Sequence, residues 1–297
     1  MQKEPLISVV IPTYNRSNTI CASIASVLNQ TYKNIELIVV DDCSTDDTLN
    51  KLEKIDDSRL KIVRHERNKG QNAARNTGIK ASIGEYIAHH DSDDIWRLNK
   101  LELQMQKIQE VNADILCCQT AVNDEISHKY LYNHPNEKFV KEGFITYKQL
   151  LKYNCTTSQT IIGKANCFKN IMFDELQPRF TDWAISLDLV KKYKFYYMQK
   201  VLVDVYQQKD SITKNPQKGV IGMQKLFEKH KDAILSDPAI VESFFKKKAS
   251  FVCKSGKNPR EEMKIILEHK PCAVNFIKYL LALTGLYKTI FNVKNKV

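Results

Sequence analysis

Tyr86-Ile-Ala-His-His-Asp-Ser-Asp-Asp-Ile-Trp96 runs a short apolar strand straight into three carboxylates, Asp91, Asp93 and Asp94. Three acids in four residues repel one another, so the stretch needs either open water or a positive charge beside it. Taken alone it reads as a solvated acidic turn. Set against a diphosphate it reads as a ligand for a hard divalent cation, which takes carboxylate and phosphate oxygens together. Its place in the chain decides between the two.

Working outward, short apolar strands alternate with amphipathic helices over the first 120 residues. Ile7-Ser-Val-Val-Ile-Pro12 reads as a buried strand, and Ser17 is placed to cap a helix with apolar positions Ile20, Ile24, Val27 and Leu28. Ile35 to Val40 is a second strand ending in Asp41-Asp42, a helix starts near Asp46, and Leu60 to Val63 is a third strand. Residues 70–82 are helical, and Tyr86 to Ala88 is the strand that delivers the acids. The helix after it is expected to bury Leu98, Leu101, Met105 and Ile108, with Ile115 to Cys118 as a fifth strand. Such alternation predicts an α/β fold, a mostly parallel sheet with helices on both faces. Ligands of these sheets bind beyond the carboxyl ends of the strands. Asn15-Arg16, Asp41-Asp42 and Asp91 with Asp93 all follow their strands, so they should meet at one edge. That convergence favours the ligand-binding reading. Residues 121–160 are less regular, with a connecting segment around Asn133 to Gly143. A helical pattern covers Asp182 to Lys192, two strand-like runs follow at Phe195 to Met198 and Val201 to Tyr206, and the chain is helical and lysine-rich from about Asn215.

Composition narrows the chemistry. With 43% hydrophobic and 27% charged residues the chain is that of a globular protein, and it has nine glycines and neither a G-x-G-x-x-G nor a P-loop pattern. Its eight cysteines are scattered with no C-x-x-C pair, which points to a reducing cytoplasm and no zinc site. The apolar run Leu6 to Ile11 is too short for a signal peptide, and no apolar stretch is long enough to span a bilayer. A net charge of +11 implies an anionic partner: nucleic acid, an anionic membrane surface or a phosphorylated small molecule.

Several segments, in order, resemble family 2 glycosyltransferases of the GT-A (Rossmann-like) fold. They are Ser8-Val-Val-Ile-Pro-Thr-Tyr-Asn-Arg16, Val39-Val-Asp-Asp-Cys-Ser-Thr-Asp-Asp47, Asn68-Lys-Gly-Gln-Asn-Ala-Ala-Arg-Asn-Thr-Gly78 and Gly84-Glu-Tyr-Ile-Ala-His-His-Asp-Ser-Asp-Asp94. The likeness resumes at Phe173-Asp-Glu-Leu-Gln-Pro-Arg-Phe-Thr-Asp-Trp183 and at Tyr206-Gln-Gln-Lys-Asp-Ser-Ile-Thr213. It implies a catalytic domain over 1–214, its nucleotide-binding half about 1–120 and its acceptor half about 121–214, followed by a helical region over 215–297. In that frame Pro12, Thr13, Tyr14, Asp42, Arg75, Asp91, Ser92 and Asp93 bind the nucleotide sugar. Asp42 reads a ring N–H of the base and Tyr14 packs on its face, roles that suit a carboxylate and an aromatic. Arg75 faces base or phosphate. Asp93 and Asp91 hold Mn²⁺ or Mg²⁺, and the metal acts as a Lewis acid on the departing UDP. Asp182 is the catalytic base, which takes the acceptor hydroxyl proton during in-line attack with inversion. Thr181 stands where the family usually has Glu or Gln before that base, a departure that removes a polar neighbour. His89 and His90 replace the usual apolar residues and read as satisfied core or rim residues rather than phosphate contacts.

The processive members' Gln-x-x-Arg-Trp motif is missing, so one sugar per acceptor is expected. The expected reaction is hexose transfer, narrowed to glucose in a β1,3 linkage, from a UDP-sugar to GlcNAc or GalNAc on a polyprenyl diphosphate, for O-antigen or capsule synthesis in the cytoplasm or at the inner face of the cell membrane. Two other classes compete. A haloacid-dehalogenase-like phosphatase also ends a strand in Asp-x-Asp, but on its first strand and with Thr or Val where this chain has Ile95. A nucleic-acid-binding protein would use the positive charge, yet no recognition motif accompanies it. Ala273 to Val297 reads as one amphipathic helix. Asn275, Lys278, Gly285, Lys288, Thr289, Asn292 and Lys296 lie on one arc, while Phe276, Leu280, Leu283, Leu286, Tyr287 and Ile290 face largely elsewhere. With Lys246-Lys-Lys248 it leaves two expectations open, peripheral contact with an anionic membrane or ordinary packing on the catalytic domain.

Overall fold

The computed structural model describes residues 4–207 and 215–294, with side chains to 291. The chain forms two compact units, the first made of 1–146, 155–175 and 182–209, the second of 147–154, 176–181 and 210–297.

The first unit carries strands β1 Ile7–Thr13, β2 Ile35–Asp41, β3 Leu60–Arg64, β4 Tyr86–His89, β5 Ile95–Trp96, β6 Ile115–Asp124, β7 Tyr130–His134, β8 Gly143–Phe144, β9 Ile162–Lys164 and β10 Phe195–Gln207. Its helices are α1 Ile20–Leu28, α2 Thr48–Glu53, α3 Gln71–Ala81, α4 Lys100–Val111, α6 Ala165–Asn170 and α7 Thr181–Leu189. The sheet order is β3-β2-β1-β4-β9-β6-β10-β5, with β7 added to β6 and β8 to β10. Strands β3, β2, β1 and β4 are parallel, as are β6 and β10.

Helices cover both faces. Ile7, Val9, Ile11, Leu37 and Val39 pack against Ile20, Ile24 and Val27 of α1 and Leu101, Met105 and Ile108 of α4. On the other face Ile38 and Val40 meet Ala74 of α3. Burial on both sides is why β1 and β2 read as continuous β-branched runs rather than alternating ones. Pro12 is tolerated in this central strand because pairing to β4 stops at Val10 and His89, so its missing N–H lies beyond the ladder.

Three readings are corrected. Ser17 does not cap α1: the cap position is Thr19, without a side-chain bond, and the Ser17 amide donates to Asp46 Oδ2 (3.1 Å). Leu98 is 60% exposed, because it precedes α4 rather than lying on its inner face. The two strand-like runs after 194 are one strand, β10, with register shifts between Met198 and Val203. The sheet is mostly parallel, as expected, and β9 enters it antiparallel to both β4 and β6.

Gly84 is required where the turn into β4 crosses β1. A Cβ there would lie 2.7 Å from the Ser8 amide nitrogen and 2.8 Å from the Leu6 carbonyl oxygen, both backbone atoms that cannot rotate away. The Gly84 amide also donates to Ser8 Oγ (2.8 Å), whose hydroxyl in turn donates to Glu36. Gly84→Ala is therefore expected to destabilise the first unit by about 1–3 kcal/mol through overpacking, read as a lower thermal midpoint.

The second unit contains α5 Tyr147–Lys152, α8 Pro216–Leu235, α9 Pro238–Lys254, α10 Arg260–His269, α11 Ala273–Leu283 and α12 Leu286–Lys294. Asn215 and Asp237 cap α8 and α9 with side-chain oxygens, each followed by Pro at the first helical position. Met223 and Leu226 of α8, with Ile240, Val241, Phe244 and Phe245 of α9, are buried in it. None of the described helices is long and apolar enough to cross a membrane.

Candidate active site

The carboxyl ends of β1 and β2 are stitched together by their own loops. Asn15 and Cys43 adopt left-handed backbone (φ 51° and 66°), which turns both chains sharply out of the sheet. The Asn15 amide donates to Ser44 Oγ (2.9 Å), the Thr45 amide donates to Asn15 Oδ1 (2.8 Å), and the Arg16 amide donates to Thr48 Oγ1 (2.8 Å). Asp42 donates its amide to the Thr13 carbonyl (2.8 Å), placing both at the sheet edge with Pro12 just below. Tyr14 projects from this rim at 42% exposure, the state expected of a ring that awaits a flat partner. Thr13 is buried, and its Oγ1 has no hydrogen-bond partner among the described residues.

Asp42 is 3% exposed, and its carboxylate accepts from the amides of Lys69 (2.8 Å) and Gly70 (2.7 Å) and pairs with His65 Nδ1 (2.7 Å). The other His65 nitrogen meets Thr77 Oγ1 at 2.9 Å. A carboxylate has about four acceptor sites, so these three partners hold Asp42 in one orientation at the edge. Sequence reasoning missed His65, which stands alone in the chain; its one signal is a polar residue directly after the apolar run of β3.

The acid loop after β4 is held from beneath by α1. Ser23 Oγ donates to the Asp91 carbonyl (2.9 Å), and the Trp96 amide donates to Ser26 Oγ (3.1 Å). Two serines spaced by three on the apolar face of α1 were the available signal for this support, and the reading passed over them. Arg75 on α3, only 1% exposed, donates from Nη2 to Asp91 Oδ1 (2.5 Å) and sits over the Phe173 ring at 5.3 Å. Its Nε and Nη1 have no partner among the described residues. Arg16 Nε approaches Asp93 Oδ2 at 3.5 Å. The structure thus brings Arg75 to Asp91 and Arg16 to Asp93, and Ser92 is buried between the two acids.

Positive charge nevertheless falls short there. Burial, and then the neighbouring Asp91 carboxylate, hold the Asp93 carboxyl above its ordinary range. Asp94 is driven up further by burial and by Asp93 and Asp91. Buried acids that favour their protons are acids short of a cation. Among the described residues no three or more His, Cys, Asp or Glu side chains are gathered as a metal cage. Any ion here would take its remaining ligands from phosphate oxygens and water, the habit of Mg²⁺ and similar hard ions. The donor set fits.

His89 and His90 are core residues, as expected, but neither is satisfied. Both ring nitrogens of each are buried without a hydrogen-bond partner among the described residues, and the His89 ring stands edge-on to Phe168 (4.8 Å) and Phe173 (5.2 Å). His90 lies against Trp96 at 4.5 Å, a ring that also carries Lys100 Nζ at 3.7 Å. Burial, then Arg75, pushes the His89 pKa down to about 3. The unfolded chain takes up this proton near pH 6.5 and the folded one only near 3, so His89 removes stability as pH falls across that window, by about 1.4 kcal/mol per pH unit. His89→Leu is expected to recover about 2 kcal/mol of the stability lost between about pH 6.5 and 5, measured by urea unfolding at both values. Asp94, with its raised pKa, works in the opposite sense and keeps the wild-type slope shallower.

Asp182 lies in the first turn of α7, within the same compact unit as the residues above, and its Oδ1 accepts from the Trp183 amide (2.8 Å). Trp183 is fully buried and anchors that turn. Phe173 and Asp174 are clipped to α3. Asn76 donates to the Phe173 carbonyl (2.9 Å) and accepts from the Phe173 amide (3.0 Å), and Asn72 donates to the Asp174 carbonyl (2.7 Å). The helix that presents Arg75 to Asp91 therefore also fixes Phe173 and Asp174 of the same unit. Of the motif Tyr206 to Thr213, residues 208–213 lie outside the described residues.

A parallel half-sheet with acids and arginines at its carboxyl edge, extended by the antiparallel β9 insertion, is a GT-A architecture. The chain matches the profile Glycosyl transferase family 2 over residues 8–173, and it belongs to that family. It is 45% identical over 150 residues to Escherichia coli WfgD, a UDP-Glc:alpha-D-GlcNAc-diphosphoundecaprenol beta-1,3-glucosyltransferase, a match covering 50% of this chain and 56% of WfgD. WfaP of the same species, named for the same reaction, is 34% identical over 63% of this chain and 71% of its own. Bacillus subtilis TuaG, a putative teichuronic acid biosynthesis glycosyltransferase, is 33% identical over 71% of this chain and 83% of its own. The match therefore spans little more than half the length of WfgD. Among solved structures, Staphylococcus aureus TarS 1–349 in complex with UDP-GlcNAc superposes with a TM-score of 0.64 at 19% identity, covering 98% of this chain and 91% of that one. The mannosyltransferase PcManGT of Pyrobaculum calidifontis, in complex with GDP-Man and Mn²⁺, gives 0.61 at 15%, covering 99% and 88%. At these identities the two structures speak for the fold.

Proposed function

We propose that this chain transfers glucose from UDP-glucose, with inversion, to the 3-hydroxyl of a GlcNAc carried on a polyprenyl diphosphate, forming a β1,3 linkage in surface-polysaccharide synthesis. The observation that carries the reading is the acid loop. Asp91 and Asp93 stand beside Arg75 and Arg16 at the edge where Tyr14 and Asp42 also end their strands. The relatives' names supply the sugar, the acceptor and the linkage.

In this reading the base lies on Tyr14 and is read by the remaining acceptor site of Asp42, with Pro12 and Thr13 forming the floor. Arg75 turns its unpartnered Nε and Nη1 toward base or phosphate, and Arg16 neutralises part of the diphosphate. Asp93 and Asp91, on either side of Ser92, would hold Mn²⁺ or Mg²⁺, which supplies Lewis acidity for the charge that collects on UDP. Asp182, oriented by the Trp183 amide, takes the proton from the acceptor hydroxyl as its oxygen attacks the anomeric carbon. A membrane-borne acceptor would place this work at the inner face of the cell membrane.

The test is transfer from a panel of UDP-, GDP- and CMP-sugars to a synthetic lipid-diphosphate GlcNAc, with Mn²⁺, Mg²⁺ or chelator, product linkage being read by NMR. A β1,3-glucosyl product that requires metal is the expected result. Product from a GDP- or CMP-sugar alone, or none from any donor, overturns the proposal.

A further inference from the structure

The sequence reading takes 273–297 as one amphipathic helix. The structure breaks it at Gly285 (φ 84°) into α11 and α12 and turns the first of them inside out. Asn275, from the polar arc, is 2% exposed and donates to the Lys270 carbonyl (2.9 Å), and Asn258 donates to the carbonyl of the buried Ala282. The large apolar side chains point outward. Phe276, Ile277, Leu280, Leu283, Leu286 and Ile290 are each 41–55% exposed. A helix that buries Asn275 and leaves a run of Phe, Ile and Leu in water presents a patch of the kind that marks an interaction surface.

Charge identifies the partner. No Asp or Glu follows Glu268, while Lys270, Lys278, Lys288, Lys294 and Lys296 do. Lys278, on α11 beside the apolar run, is depressed first by burial and then by the like charge of Lys246. Lys246, Glu242 and Cys272 are the groups that act on it, and Glu242, the one carboxylate, is already bonded to both Lys246 and Lys270. Three lysines that share one carboxylate beside an exposed apolar stripe leave net positive charge there, which fits a surface that offers phosphate and acyl chains together. A second copy of this chain would bring its own lysines to face these.

We infer that the outward face of α11 and α12 seats this protein on an anionic lipid bilayer, lying in the interface rather than crossing it. Each helix is too short to span, and together they form the interfacial kind of element, with apolar side chains entering the headgroup boundary and lysines meeting lipid phosphates. The inference holds whatever sugar is transferred.

The experiment is co-sedimentation of the full chain with vesicles of phosphatidylcholine alone or mixed with phosphatidylglycerol, at low and high salt. Binding is expected with phosphatidylglycerol, at least tenfold stronger than with phosphatidylcholine alone and weakened by salt. The double variant Ile277→Glu/Leu280→Glu is expected to lose it. Both side chains are exposed, so circular dichroism and the thermal midpoint should stay unchanged, and UDP-glucose binding without vesicles should too. That last measurement separates failure here from failure of the proposed reaction. Equal or absent binding to both vesicles overturns the inference. So does a dimer, seen by light scattering, that the double variant abolishes while vesicle binding persists.

Discussion

Asp182→Asn is expected to lower kcat by about 10²- to 10⁴-fold, the range a positioned general base contributes, with UDP-glucose affinity unchanged. Asn keeps an oxygen at the position of Oδ1, so the Trp183 amide retains its acceptor and the first turn of α7 keeps its anchor. What is lost is the basic electron pair. The loss should therefore appear in kcat at saturating acceptor, and the thermal shift produced by UDP-glucose should match that of the unaltered chain. Raising the pH should not restore the rate, because an amide does not become a base. A variant retaining more than a tenth of the rate would remove Asp182 from its role and leave a different residue to take the proton.

Asp93→Asn is expected to abolish metal-dependent donor binding, leaving a weak, metal-independent affinity that rests on Tyr14, Asp42 and Arg75. A group that merely supports a metal ligand costs about 10- to 100-fold in affinity when lost, so loss of a ligand should exceed that. The readout is the stabilisation that UDP-glucose with Mn²⁺ gives, which for a ligand at a hundred times its Kd is about 2.7 kcal/mol. If Asp93 holds the ion as proposed, its carboxyl, raised above the ordinary range, would compete for a proton with the metal, so apparent Mn²⁺ affinity should rise with pH. In Asp93→Asn the pH dependence should flatten along with the affinity. The substitution also relieves repulsion among Asp91, Asp93 and Asp94, so the ligand-free protein should be no less stable than the unaltered one. Mn²⁺-dependent binding that survives would move the metal elsewhere.

Much of the site was legible because its residues sit at strand ends, where a local pattern announces them. Asp41-Asp42 after Ile35–Val40, and Asp91 and Asp93 after Tyr86–Ala88, are breaks from apolar run to acid that any strand of a parallel sheet would place at the same edge. The supports were not legible. Asp42 is held by His65, Lys69 and Gly70, more than twenty residues away, and Asp91 is held through its carbonyl by Ser23 and through its carboxylate by Arg75. Neither periodicity nor composition carries such pairings, since each partner meets the acid only after the sheet has assembled. His89 shows the reverse failure. A histidine at a strand end reads as polar, yet its neighbours Phe168 and Phe173 come from another part of the chain and make its surroundings apolar.

By itself the sequence determined the period of each element, the strand–helix alternation, and which loops carry acid. These follow from side-chain shape and polarity within a few residues, and they were enough to place Asp42, Asp91 and Asp93 on one edge. Tertiary structure alone decided that β9 enters antiparallel between β4 and β6, that α3 both aims Arg75 and clips Phe173 and Asp174, and that α11 turns its apolar side outward. Each of those depends on contacts between distant segments. A short strand can pair in either direction and an amphipathic helix can roll about its axis with little change in local energy, so only the packing around them selects the outcome.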